Sequence, residues 1–174
     1  MRAIAILAAL AAAPALAAGG DEPPAPTPTT TECPEGTVWD AEAEGCVAPE
    51  QSSLDADALY DAVRELAHAG RLDGAEGALD AMPDPSEARV LTYRGFLARQ
   101  RGDLAEAEVQ YAAAVAADPS NILARSYWGQ GLAEAGRRDE ARALLREIRA
   151  LGGRETWAEF ALEQAIATGR GASY

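Results

Sequence analysis

The side chains capable of covalent or acid–base chemistry are few and widely separated. His68 is the single histidine in 174 residues, and Cys33 and Cys46 are the two cysteines. Nucleophilic catalysis needs a nucleophile beside a base that is itself oriented by a third group. Ser126 could approach His68 across a helical stack, yet nothing in the sequence supplies an orienting acid or an oxyanion hole. The carboxylate pairs Glu106 with Glu108 and Asp139 with Glu140 fall at expected helix starts, where negative charge complements the helix dipole. Two cysteines without further cysteine or nearby histidine do not make a metal site. The expectation is therefore no catalytic residue, no cofactor and no metal: a binding protein, not an enzyme.

What remains is charge. The formal net charge is -13, every cationic side chain is arginine, and a basic footprint for phosphate is missing, so a nucleic-acid partner is not expected. Met1-Arg2, the apolar run from Ala3 to Ala13 and Pro14-Ala15-Leu16-Ala17 have the three parts of a secretory signal, with cleavage after about Ala17. The run is about half of the roughly 20 residues a membrane span requires, so stable insertion is not expected. Periplasmic or secreted bacterial localisation follows. In such a compartment an even cysteine count reads as a disulfide, Cys33 with Cys46. Its loop of about 14 residues corresponds to roughly 3 kcal/mol of chain entropy.

Residues 18–32, rich in proline and threonine, read as an extended spacer. Residues 33–46 read as a disulfide-closed, hairpin-like loop whose large apolar group is Trp39. From Leu54 onward the pattern turns to alanine-rich helical spacing punctuated by single glycines. Gly95 and Gly129, Gly102 and Gly136, Ala107 and Ala141, Tyr111 and Leu145, and Ala114 and Ile148 are each 34 residues apart. Within 88–121, Leu91, Gly95 and Ala98 share a face of one helix and Ala107, Tyr111 and Ala114 share a face of the next. Gly102 ends the first helix, Asp103 with Glu106 has capping-box spacing, and Pro119 stops the second. Residues 122–151 repeat this pattern. Residues 56–84 carry it in shortened form, with Leu59, Val63, Leu66, Gly70, Leu72, Ala75, Leu79 and Met82. The stretch 154–170 reads as a terminal capping helix, with Trp157 and Phe160 covering the third unit.

The Gly-Asp-Leu-x-Glu-Ala run at 102–107 followed by Asp118-Pro119 resembles the tetratricopeptide-repeat (TPR) family over about residues 56–151. The chain as a whole, with its Cys-Pro-x-Gly-x-x-Trp-Asp loop, is similar to small exported TPR proteins of proteobacteria. The resemblance implies an all-α fold: three helical hairpins in a right-handed solenoid, a disulfide loop before them and a capping helix after. It also implies a concave groove, lined by the first helix of each hairpin, that holds a protein or peptide. Carried over position by position, the groove presents Tyr60, Arg64 and His68, then Arg89, Thr92, Phe96, Arg99 and Gln100, then Ser126, Gln130 and Glu134. Its arginines predict a locally positive groove suited to an acidic segment or a chain terminus. The alternative makes Trp39 and its loop the active part, holding cell-envelope glycan while the repeats act as support.

Overall fold

The computed structural model describes residues 24–172; the expected signal segment, 1–17, lies outside them. A helical turn, α1 (Pro28–Thr31), precedes two short strands, β1 (Val38–Asp40) and β2 (Gly45–Val47), and a 3-10 turn at Pro49–Gln51. Seven helices follow: α2 (Ala56–His68), α3 (Leu72–Asp80), α4 (Ala88–Gln100), α5 (Leu104–Ala117), α6 (Ile122–Glu134), α7 (Arg138–Ala150) and α8 (Trp157–Thr168). The fold is all-α apart from one antiparallel hairpin, and the cysteines are bonded as expected, with Cα atoms 5.4 Å apart. No helix among the described residues is long and apolar enough to cross a membrane.

The helices pair as α2 with α3, α4 with α5 and α6 with α7, and α2, α4, α6 and α8 touch member to member in one row. The same punctuation closes α2, α4 and α6. At Gly102 the backbone turns left-handed (φ +84°), and the Asp103 amide reaches back to the Ala98 carbonyl, the long bond of a Schellman cap. Asp103 then accepts from the Glu106 amide to open α5, while the Glu106 carboxylate takes the Gln110 amide instead of completing the box. Asn121 opens α6 by accepting from Ala124. The turns before α4 and α6 are alike: Asp84 and Asp118 each accept from the amide (2.9 Å) and hydroxyl (2.6 Å) of the serine two residues on. That Asp-Pro-Ser pair, also 34 apart, is a repeat signal the sequence reading missed.

Close approach inside a hairpin follows from Gly95, where a Cβ would lie 2.6 Å from the ring of the fully buried Tyr111. The third hairpin departs from this symmetry. Gly129 is covered by Leu162 of α8, so Leu145, the counterpart of Tyr111, does not take that role. Helix α8 buries Ala158, Ala161, Leu162 and Ala165 against the stack. This corrects the expectation that Phe160 covers the third unit. Phe160 is half exposed, whereas Trp157 is half-buried with its ring centroid 5.8 Å from that of Phe160; the small residues of α8 are the ones that admit α6.

The N-terminal segment is docked and not a free spacer over its described part. Glu65, a buried carboxylate of α2, accepts from the amide (2.7 Å) and hydroxyl (2.7 Å) of Thr27 and from the amide (3.2 Å) and hydroxyl of Thr30. Threonines that look like spacer polarity thus satisfy a buried charge. The Glu35 carboxylate reaches α3 and accepts from the Gly74 amide and Arg71 Nε, both at 2.9 Å, supplying the cap that the start of α3 lacks locally. Val38, fully buried in the main core, anchors the hairpin, and Trp39 is half-buried opposite Cys46. Asp40 accepts from the Ser53 amide (2.6 Å) and hydroxyl and from the amides of Glu42 and Ala43. Led by the Ser53 amide, these donors hold its carboxyl below the usual carboxylate range. The hairpin is an N-terminal cap on the stack. Replacing both cysteines by serine should lower unfolding stability by roughly 3 kcal/mol, read as a shifted urea midpoint.

Candidate functional site

On the face of the α2–α4–α6 row lies an open cleft of about 670 Å³. It is built where the three helices begin. Helix α2 contributes Asp57, Tyr60, Asp61 and Arg64; α4 and its entry contribute Glu87, Ala88, Arg89 and Thr92; α6 and its entry contribute Asp118, Ser120, Asn121, Ile122 and Leu123. Four of the expected groove residues, Tyr60, Arg64, Arg89 and Thr92, line this cleft.

The positive field expected of the groove does not follow from its lining, which sets four carboxylates against two arginines. Arg89 bonds Asp57 at 2.6 Å and Glu87 at 2.5 Å and lies 4.9 Å over the Tyr60 ring. Arg64 approaches Asp61 at 3.6 Å and hydrogen-bonds Tyr93. Arg99, almost wholly buried, is held by Glu134 at 3.0 Å and covers Phe96 at 5.5 Å. The arginines expected to contact a partner's carboxylates have carboxylate neighbours from this chain.

Behind the cleft, rings from all three hairpins form a continuous seam. Tyr60 meets Tyr93 edge-on at 5.6 Å, and His68 sits 5.0 Å from Phe96, which is 5.0 Å from Tyr127. The Nε2 atom of His68 lies 3.3 Å from the hydroxyls of both Tyr93 and Tyr127. Burial, and then the neighbouring Arg64 and Arg99 charges, depress the imidazole to about 4, so at neutral pH it is uncharged. Such pairs contribute about 0.5–1.5 kcal/mol each beyond area, so the seam locks hairpin to hairpin.

Of the four groove residues at the cleft, Thr92 is a buried floor residue beneath Asn121, whose amide donates to its hydroxyl at 3.0 Å. The other groove residues lie outside the open cleft, and Phe96 is buried in the seam. Ser126 and Gln130 are buried because α8 lies over them. The Ser126 hydroxyl donates to the Ala158 carbonyl at 2.7 Å, and the Gln130 amide donates to Ser126 at 3.2 Å. The proton of Ser126 is thereby committed to structure and not to His68. Gln100 is exposed at the end of α4. Among the described residues, no three or more His, Cys, Asp or Glu side chains are placed to hold a metal ion.

A cleft of opposite character lies between α7 and α8, with a similar volume of about 670 Å³. Arg138, Arg142, Arg146 and Arg149 line it with Glu163, over an apolar floor of Leu145, Ile166 and Ala167. Arg142 pairs with Asp139 at 2.7 Å and Arg149 with Glu159 and Glu163. The 3.6-residue period puts all four arginines on one stripe, a signal the groove-centred reading passed over. No protein-family model matches the chain, and no curated protein or solved structure matches it either.

Proposed function

We propose that the chain is an exported TPR protein that binds a protein or peptide through the groove of its repeats, acting as a scaffold and not as a catalyst. The observation that carries the reading is the open cleft that the first helices of three hairpins build together while their second helices stand behind. The 34-residue spacing of the cap glycines Gly102 and Gly136, the Gly95–Tyr111 contact and the duplicated Asp-Pro-Ser turns support the TPR assignment. A disulfide in the N-terminal cap fits an oxidising, extracytoplasmic compartment. Four carboxylates against two arginines suit a segment of mixed or positive charge better than an acidic one.

The arginine stripe favours a second reading, in which an acidic segment docks between α7 and α8. One experiment separates the two. Envelope extract is passed over the wild type, over a cleft variant with Asp61→Arg and Leu123→Arg, and over a stripe variant with Arg138→Glu and Arg146→Glu, each checked for helicity. The groove reading expects a retained protein to be lost by at least tenfold only in the cleft variant. Loss confined to the stripe variant moves the partner to α7 and α8, and equal retention by all three overturns both readings.

A further inference from the structure

We propose that the C-terminal end of the groove is a subsite that reads the main chain of a glycine-containing, non-helical segment, and that this chain's own tail is its resident occupant. The inference rests on the groove reading above and sharpens it by naming what the far half of the groove recognises.

Helix α8 ends at Gly169, whose left-handed backbone (φ +72°) turns the chain out of the helix. The Arg170 amide donates to the Thr168 hydroxyl at 3.2 Å and steadies that turn. The next two amides are then read individually: Gly171 donates to Glu134 Oε1 at 2.7 Å and Ala172 donates to Gln130 Oε1 at 3.1 Å. Gln130 and Glu134 stand one turn apart on α6, so the tail runs back along that helix toward its N-terminus, where the open cleft lies.

Both acceptors are pre-set. The Gln130 side chain is 1% exposed and is oriented by its own donation to Ser126, which leaves the amide oxygen facing the tail. The two Glu134 oxygens lie 3.0 and 3.1 Å from Arg99 Nη1, and that guanidinium is packed over Phe96. A buried amide and a fixed carboxylate presented to successive main-chain N–H groups are donors' counterparts in waiting, independent of the sequence that supplies the amides.

The selection is steric. A Cβ at position 171 would stand 2.5 Å from Glu134 Oε1, 2.6 Å from Arg99 Nη1 and 3.3 Å from Gln130 Oε1. These are the ends of long side chains and can retreat, but doing so lengthens the amide bonds or the Arg99–Glu134 pair, so the subsite favours glycine there. A tethered tail competes at high effective concentration, and a partner with the same glycine pattern must displace it.

The test uses the full chain and a synthetic peptide Arg-Gly-Ala-Ser-Tyr, the sequence of residues 170–174. In the wild type, exchange at the amides of Gly171 and Ala172 should be protected, and millimolar peptide should leave the NMR spectrum unchanged. In full-length Gly171→Ala, protection of these amides should fall by roughly tenfold. The vacated subsite should then bind the peptide, with shifts at Gln130 and Arg99. A peptide with alanine in place of glycine should bind neither chain. Equal protection in both chains, no binding to Gly171→Ala, or equal binding of the alanine peptide overturns the proposal. Peptide binding to Gly171→Ala together with no cleft-dependent capture would retain the subsite and sink the groove reading, and the converse pattern would do the opposite.

Discussion

Tyr111→Ala should lower the unfolding free energy by about 3–5 kcal/mol, the range for emptying a buried aromatic site, while Gly95→Ala should cost about 1–3 kcal/mol by overpacking. The two losses should not add. The new methyl of Gly95→Ala would lie 2.6 Å from Cδ1 and Cε1 of a ring with no exposed surface and no direction in which to move. With Tyr111→Ala the ring is gone and the methyl enters vacated space. The double variant should therefore be within about 1 kcal/mol of Tyr111→Ala alone, a coupling that urea titration of the four chains would measure. Additive losses would mean that Gly95 is required for its backbone and not for the approach of α4 to α5.

Acidification from pH 7 to pH 4 should remove on the order of 3 kcal/mol of stability through His68 alone. The folded imidazole resists protonation until about pH 4, because burial and the charges of Arg64 and Arg99 oppose a cation there. The unfolded chain takes up the proton near the ordinary value of about 6.5. Between these two values the unfolded state binds more protons, so stability falls as pH falls and levels off below about 4. Carboxylates titrating in the same window contribute to any variant alike. The slope is isolated as the difference between the wild type and His68→Gln, which should lack it. Parallel profiles for the two chains would place His68 outside the seam.

The elements were legible because they are local. Cap glycines such as Gly102 and Gly136, the Asp103 cap and the 34-residue spacing are written in consecutive residues, and the helices begin and end where those residues direct. The pairing of Cys33 with Cys46 was legible for the same reason. The site was less so, since a groove depends on how much of each helix its neighbours cover. Ser126 and Gln130 have groove-facing positions in the period of α6, but Ala158 and Leu162 of α8 close over that helix, and nothing near residue 126 announces it. Likewise Arg89 reads as a free fork until Asp57, 32 residues away, is brought to 2.6 Å. Thr27 and Thr30 read as spacer because their partner, Glu65, looks like any solvated helix carboxylate. Long-range polar pairing leaves no periodic trace in a single chain.

Site-specific photocrosslinking in envelope extract tests the groove most directly. A photoreactive residue at Asp57, on the rim of the cleft and 86% exposed, is compared with one at Val109, on α5 and 61% exposed. The account predicts a discrete crosslinked protein from position 57 and none from position 109. The same protein crosslinked from position 109 and not from position 57 would contradict it.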